Sequence, residues 1–416
     1  MTAPGRLLPE GYHTVSSDPG FRRLATAALV SFLGDGLSVV ALVWVALTLA
    51  PPGDEGLVVG AAVAAYALPA AVGAVLLAPW LGRVDARRLV SLNAALRAVA
   101  LGTVAVLHLT GGLGVAGYIG LLAVSSVLGA WGNAGLYTIV SRLFGADRRL
   151  PANSLLSTAQ QVSIVVGPAL AGVLVGFVDA AVVLGLDALT WAFLAVQVLR
   201  VKLPEAGAAA PGRSRLSAGF RLLARRPHLA GLLAVTAGFV FLYGPVEVAL
   251  PLYVTHDLHG SAGLLGAYWA VFGVGAVVGG LLGGLLRTTR QWPLVVAVIA
   301  LWGGTLIPFG FLDATAPTLV LFALGGLAYG PFPAFTLALF QNATDPADLP
   351  ALLAARGAIT MTVLPAGAAV GGPLVAALGA AGTLLGSGIA TLTLAGAVAL
   401  VLFAAAGPAR WRAARA

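Results

Sequence analysis

Five ionisable side chains lie inside long apolar stretches of this 416-residue chain, where a charge is costly. They are Asp35, Arg97, Asp187, Glu247 and Arg356. A carboxyl group in apolar surroundings favours its neutral form, so it can take up and release a proton. These five residues are the first candidates for chemistry, and the apolar stretches around them decide what that chemistry is.

Asp35 is the acid that the sequence places deepest. It lies about 17 Å into its stretch at 1.5 Å per helical residue, near the middle of a bilayer. Ser31 and Ser38 share its helix face at helical spacing. The apolar neighbours predict a neutral carboxyl group, which makes Asp35 a candidate proton carrier. The alternative is a structural hydrogen bond to a neighbouring helix.

The other two acids lie nearer the ends of their stretches. Glu247 stands between Pro245 and Pro251, where it can exchange protons, attract a cationic substrate or serve only as a structural residue. Asp187 is close to the outer end of its stretch, where partial hydration is expected. Glu247 is therefore the second candidate for proton coupling, after Asp35.

Two arginines lie inside the stretches, Arg97 about 12 Å and Arg356 about 9 Å from the end that is assigned below to the cytoplasm. Both side chains are long enough to snorkel to the interface. For Arg97, snorkelling or a pair with a group in the first or fourth stretch is the favoured interpretation. For Arg356, contact with an anion and contact with a gating group both stay open.

Polar aromatic and amide side chains in the middle of the stretches are candidates for lining a cavity. Buried amides need hydrogen-bond partners, so they are more informative than aromatics, which often only pack against helices. The predicted substrate-binding residues are Tyr66, Asn133, Tyr137, Gln160, Gln161, Tyr243, Trp269 and Arg356.

The composition indicates an all-α membrane protein. Hydrophobic residues make up 59% and charged residues 9% of the chain, against about 45–50% and about 25% in soluble domains. The net charge of +8 belongs to loops, so no nucleic-acid partner is expected. There is no cysteine, which excludes disulfides and thiolate sites. We find no metal-ligand, nucleotide-binding or hydrolase motif, and so expect no cofactor, no metal and no enzyme activity.

Twelve apolar stretches are each about as long as the roughly 20 residues that cross a bilayer. The loops between them alternate in charge: one set carries the Lys and Arg residues and the other carries none. The positive-inside rule then places both termini in the cytoplasm of a bacterial inner-membrane protein. The predicted spans are 24–49, 57–79, 89–108, 115–138, 152–177, 181–200, 229–254, 262–286, 293–312, 318–340, 351–377 and 381–404.

The spans form two related halves. Leu150-Pro151-Ala152 opens the fifth span and Leu349-Pro350-Ala351 opens the eleventh. Two parallel six-helix repeats with a site between them is a known plan of transporters. The predicted organisation is a cytoplasmic N-terminal segment 1–23, a first half 24–200, a linker 201–228, a second half 229–404 and a cytoplasmic tail 405–416.

Two motifs carry a family resemblance. The loop Leu81-Gly82-Arg83-Val84-Asp85-Ala86-Arg87-Arg88 resembles the Gly-x-Leu-Ala-Asp-Arg-x-Gly-Arg-Arg signature of the major facilitator superfamily. The family's Asp falls at Gly82 here and its leading Gly at Ala78, so Asp85 is the candidate substitute. Gly167-Pro168-Ala169-Leu170-Ala171-Gly172 resembles the Gly-Pro motif of the superfamily's antiporters.

The resemblance implies conformational roles. Arg83, Asp85, Arg87 and Arg88 would latch the cytoplasmic side, although these arginines can also serve topology alone. Pro168 removes a backbone hydrogen bond and kinks its helix. Gly167 and Gly172 allow a neighbouring helix to approach closely. Helix packing is an equally direct interpretation of these last three residues.

The runs Phe32–Ser38, Leu150–Leu155 and Pro245–Tyr253 look like the branch of macrolide, tetracycline-type and siderophore exporters. The resemblance covers about residues 22–405. It implies a monomer in the lipid bilayer that exports an amphipathic small molecule in exchange for protons by alternating access. Two alternatives stay open: a lipid or lysolipid flippase on the same fold, and a non-transporting membrane sensor.

Overall fold

The computed structural model describes residues 10–81, 84–203, 213–285, 291–345 and 347–413. Within those ranges the regular structure is entirely helical. The helices are α1 (Glu10–Ser16), α2 (Pro19–Leu49), α3 (Glu55–Leu76), α4 (Ala78–Leu81), α5 (Ala86–Leu109), α6 (Val115–Ser126), α7 (Gly129–Leu143), α8 (Ala146–Val175), α9 (Ala180–Leu199), α10 (Arg213–Arg225), α11 (Pro227–Leu252), α12 (Ala262–Leu285), α13 (Gln291–Leu306), α14 (Thr315–Tyr329), α15 (Phe332–Asn342) and α16 (Leu349–Ala413).

Among the described residues, 11 continuous helical segments are long and apolar enough to cross a membrane. The last of them, Leu349–Ala404, contains Gly379, whose φ of 73° and ψ of 174° are not helical. Glycine tolerates this left-handed φ because it has no Cβ. The chain therefore turns at Gly379 and divides this segment into two crossings, which together with the others gives the twelve that the sequence predicts.

Two of the predicted spans are interrupted helices. The fourth crossing consists of α6 and α7, which are separated at Val127 and Leu128, and the tenth consists of α14 and α15, which are separated at Gly330 and Pro331. Pro331 lacks the N–H group that a continuous helix needs at its position. The interruption at matching places in the two halves agrees with an internal repeat.

The residues form two compact units, one of Met1–Ala50 with Ala65–Pro211 and one of Pro51–Ala64 with Gly212–Ala416. The boundary after Pro211 falls in the predicted linker. Residues 51–64 belong to the second unit, whereas the sequence assigned them to the first half. The reason is close packing: a Cβ atom on Gly60 would lie 3.0 Å from the Cα atom of Gly372.

In the first unit, α2 packs against α8 and α9, and α5 packs against α9, α6 and α7. Helix α2 begins where the Asp18 side chain accepts a hydrogen bond from the Phe21 N–H group at 2.8 Å. Helices α2 and α8 cross at two glycines. A Cβ atom on Gly167 would lie 2.4 Å from the Cα atom of Gly36. Only glycine at both positions permits this approach, and Pro168 follows directly.

The second unit repeats this arrangement. Helix α11 packs against α16, and α13 packs against α14 and α16. A Cβ atom on Gly244 would lie 2.7 Å from the Cα atom of Gly367. This unit also contains a cluster of aromatic rings in contact with one another: Phe239, Tyr243, Phe272, Trp302, Phe322, Tyr329 and Phe332.

Candidate functional site

Three helices of the first unit bring together Asp35, Tyr66 and Arg97. The guanidinium Nη1 atom of Arg97 donates to Oδ1 of Asp35 at 2.7 Å, and the Tyr66 hydroxyl donates to the same oxygen at 2.9 Å. The predicted pairing of Arg97 with a group of the first span is therefore confirmed. The expectation that Asp35 has only apolar neighbours is wrong, because α3 and α5 each supply a polar partner.

Aromatic rings hold the guanidinium group in place. Arg97 lies 5.0 Å from the ring centroid of Tyr66 and 4.6 Å from that of Trp191. Such cation–π contacts are strongest where water is excluded. The Arg97 side chain is 11% exposed and that of Asp35 is 35% exposed. The cation of this ion pair is thus more shielded than the anion.

Asp187 adjoins this cluster on α9. Ser38 donates to its Oδ2 at 2.5 Å, and the Thr190 hydroxyl donates to the Asp187 backbone carbonyl at 2.8 Å or to Oδ1 at 3.1 Å. The side chain is completely buried, so the expected partial hydration is wrong. Gly34 makes the room, since a Cβ atom there would lie 2.3 Å from Oδ1 of Asp187. The sequence signal for this site was Ser38, which donates its hydrogen bond to Asp187 rather than to Asp35.

In the second unit, Glu247 lies one helical turn after Tyr243 on α11 and is half-buried. The Tyr243 ring centroid is 5.5 Å from that of Trp302 and 5.7 Å from that of Tyr329. Trp269 approaches the same cluster edge-on, with 6.1 Å between its centroid and that of Phe272. Glu247 thus stands beside an aromatic surface, and it has no hydrogen-bond partner in the part of the chain that the structure describes.

Arg356 lies on α16 away from any described carboxylate partner. It donates to the Thr336 hydroxyl at 3.4 Å, and its guanidinium carbon is 5.5 Å from the Phe340 ring centroid. Neither contact neutralises its charge. Contact with an anion, or with a gating group, stays a prediction.

Of the predicted substrate-binding residues of the first unit, Tyr66 belongs to the Asp35 cluster, whereas four others lie apart from it: Asn133, Tyr137, Gln160 and Gln161. Asn133, Tyr137 and Gln160 are half-buried, and Gln161 is exposed. Their side chains make no hydrogen bond to another described residue. Their polar groups are free for a ligand, and their role in substrate binding stays a prediction.

Asp85 organises the loop that precedes α5. Arg142 donates to its Oδ2 at 2.7 Å, and the Arg87 N–H group donates to its Oδ1 at 2.9 Å, which caps α5. Burial raises the pKa of Asp85, but hydrogen bonds from Arg142 and Arg87 outweigh it and hold the pKa below its ordinary value. Arg88 is exposed, and Arg83 and Gly82 lie outside the described residues. The latch role stays a prediction.

The described residues hold no group of three or more His, Asp or Glu side chains that could bind a metal ion. Twelve apolar crossings, an internal repeat and an ion pair inside the spans define a multi-pass membrane protein with the architecture of a secondary transporter.

The family profile of the Major Facilitator Superfamily matches residues 24–347. The chain belongs to this superfamily, and it is accordingly a transporter rather than an enzyme. The resemblance inferred from the two sequence motifs is confirmed.

Three relatives illustrate the branch. The chain is 28% identical to the uncharacterized MFS-type transporter y4rN of Sinorhizobium fredii, over 88% of this chain and 90% of the relative. It is 25% identical to the multidrug efflux pump Tap of Mycobacterium tuberculosis, over 86% and 88%. It is 25% identical to macrolide efflux protein A of Enterococcus faecalis, over 59% and 79%. The resemblance to the drug-exporter branch is thus confirmed.

Solved structures agree on the fold. The crystal structure of the nucleoside transporter NupG superimposes with a TM-score of 0.68 at 14% identity, covering 93% of this chain and 98% of that one. At this identity the likeness concerns the fold alone. The fold predicted from the sequence, twelve helices in two six-helix halves, is confirmed.

Proposed function

We propose that this protein exports amphipathic small molecules, such as drugs, antibiotics or siderophores, in exchange for protons by alternating access. The efflux activity in the names of two relatives supports the direction. The observation that carries the coupling is the ion pair between Asp35 and Arg97, at 2.7 Å, in the middle of apolar spans. Charged groups at such a depth are expensive and by default mark a functional pathway.

The ion pair offers a simple coupling step. Asp35 is 35% exposed, so its carboxylate can take a proton from water while Arg97 stays shielded. A proton on Asp35 cancels the attraction that holds the two helices α2 and α5 together through these side chains. Release of the proton restores it. The membrane potential adds about 2.3 kcal/mol per charge per 100 mV, so one proton drives appreciable accumulation.

The second unit supplies features for the substrate. Tyr243, Trp302 and Tyr329 form an aromatic surface, and Glu247 places a carboxyl group beside it. Aromatic faces and a carboxylate together favour a molecule with an apolar body and a cationic group. Glu247 is therefore either the binding partner of such a group or a second proton carrier. Arg356 binds anionic groups of substrates.

The function is tested in two assays. In an efflux-deficient bacterial host, expression should raise the growth-inhibitory concentration of some members of a panel of macrolides, lipophilic cations and siderophores. In inverted membrane vesicles, an imposed pH gradient should then drive accumulation of the same compounds. Lack of both effects across the panel would contradict export. Movement of labelled lipid, or binding without transport, would instead indicate the flippase or the sensor.

A further inference from the structure

Asp187 has no part in the coupling step described above, yet it is an acid whose side chain is 0% exposed. Its two oxygens accept hydrogen bonds from Ser38 and Thr190. These hydroxyl groups supply hydrogen bonds but no positive charge. An ionised carboxylate that is buried without a cation is strongly destabilising. The cation nearest at hand is Arg97.

The geometry brings Arg97 to the helix of Asp187. The guanidinium group lies 4.6 Å from the ring centroid of Trp191, which is one helical turn after Asp187 on α9. Residues four apart are neighbours on a helix surface. From the other side, α2 presents Asp35 to Arg97, and Ser38 to Asp187. The guanidinium group thus pairs with one carboxyl group, and it contacts an aromatic ring on the helix that carries the other.

Three ionisable groups are close enough to Asp187 to interact with it electrostatically: Asp35 on α2, Arg97 on α5 and the Tyr66 hydroxyl on α3. With both acids ionised, the cluster holds two negative charges and one positive charge. With one proton bound, the charges balance. A single arginine can then serve either carboxylate, according to which acid holds the proton.

We propose that Asp187 is the alternative partner of Arg97. When the Asp35 carboxylate takes a proton from water and forms an O–H bond, Arg97 transfers its ion pair to ionised Asp187. When Asp35 releases the proton, Arg97 returns to Asp35. The arginine stays protonated throughout, and Asp187 is a positioning residue that acts through Arg97. The role of this exchange in proton coupling rests on the proposed function, but the shift of the ion pair itself needs no substrate.

Asp187→Asn tests this relay. The amide keeps hydrogen-bonding groups for Ser38 and Thr190 and removes the charge. Arg97 then pairs with Asp35 alone, so a proton binds to Asp35 only at lower pH. Infrared difference spectroscopy of the full chain in lipid vesicles follows the protonated carboxyl band as the pH is lowered. The band that Asp35→Asn abolishes should shift its midpoint by about one pH unit toward acid in Asp187→Asn.

Asp179→Asn is the matched control, because Asp179 is an acid that caps the same helix α9 and is far more exposed. This control should leave the midpoint in place. An unchanged midpoint in Asp187→Asn would overturn the proposal. A purely structural role would lower thermal stability without moving the midpoint.

A second measurement separates a moving arginine from simple repulsion between two acids. Asp35→Asn mimics the protonated state and leaves Asp187 intact. A structure of this variant, by cryo-electron microscopy with a bound antibody fragment, should place the Arg97 guanidinium within about 3.2 Å of an Asp187 oxygen. An Arg97 that stays in its present position would overturn the proposal, even where Asp187→Asn does not fold. Neither measurement depends on transport, so failure of the export proposal is recognised separately.

Discussion

The Arg97 guanidinium donates to the Asp35 carboxylate at 2.7 Å across 62 residues of sequence and between two spans, α2 and α5. Each charge makes the other tolerable in an apolar region. A partly buried ion pair is nevertheless weak evidence for stability, because desolvation offsets much of the attraction. Its presence at this depth is better explained by a use for the charges, which is the basis of the proton-coupling proposal.

The first prediction concerns orientation. Because basic residues lie only in alternate loops, a reporter that is active only in the cytoplasm should work when it is fused after Arg226 or Arg415. It should be silent when it is fused after Glu55 or Asp257. Cytoplasmic activity at either of the last two sites would refute the assignment of both termini to the cytoplasm.

The second prediction concerns the crossing of α2 and α8. In Gly167→Ala, the new methyl group would meet Gly36 Cα at 2.4 Å, so the helices must move apart. We expect a loss of about 1–3 kcal/mol in the free energy of unfolding, measured by denaturation in detergent. Gly120→Ala in α6 is the control, since nothing lies within 4 Å of its position. Equal stability of both variants would show that the crossing is loose.

The third prediction concerns pH and Asp85. Because its folded pKa lies below the ordinary value, its ion pair stabilises the protein above the unfolded pKa, and this contribution is lost as pH falls through the folded pKa. Asp85→Asn keeps a cap for α5 and removes the charge. Near neutral pH, the free energy of unfolding should fall by no more than about 1 kcal/mol, since these side chains are partly exposed.

In acid the difference between parent and Asp85→Asn should vanish, as followed by thermal unfolding over a pH series. A difference for Asp85→Asn that persists in acid would mean that the substitution acts through the cap or through packing.

The fourth prediction concerns Glu247. If its carboxylate binds cationic groups beside Tyr243, then Glu247→Gln should weaken export of lipophilic cations by about tenfold and spare uncharged substrates. Apparent affinities for a cationic and an uncharged compound, measured in the same vesicles, decide this. Equal loss for both compounds, together with loss of pH dependence, would instead make Glu247 a proton carrier.

The fold was largely predictable because the bilayer constrains both the length of the apolar segments and the charge of the loops. Apolar length gives the spans, and loop charge orders them. The predicted first span, 24–49, ends where α2 ends, at Leu49, and the Pro51-Pro52 pair explains why. The interruption at Val127 and Leu128 has no proline to predict it, whereas the Gly330-Pro331 pair was a sequence signal for the other interruption.

The individual residues of the candidate site were predictable, but their pairing was less so. Asp35, Tyr66 and Arg97 stand out as polar groups in apolar helices, whereas the sequence does not state which helix faces which. Helices that are apolar all round give no direction to their neighbours. Partial hydration of Asp187 was predicted only from its position near the end of a span. Its burial depends on Gly34, a residue of another helix, which no reading of α9 can reveal.

The most direct measurement is substrate accumulation by Asp35→Asn in proteoliposomes with an imposed pH gradient, using a compound that the parent protein exports. The amide keeps the size and polarity of the side chain and removes its titration. We expect Asp35→Asn to bind and exchange the compound down its own gradient, and to show no accumulation driven by the pH gradient. Accumulation equal to that of the parent would contradict coupling through the Asp35–Arg97 pair, and Glu247 would become the next candidate.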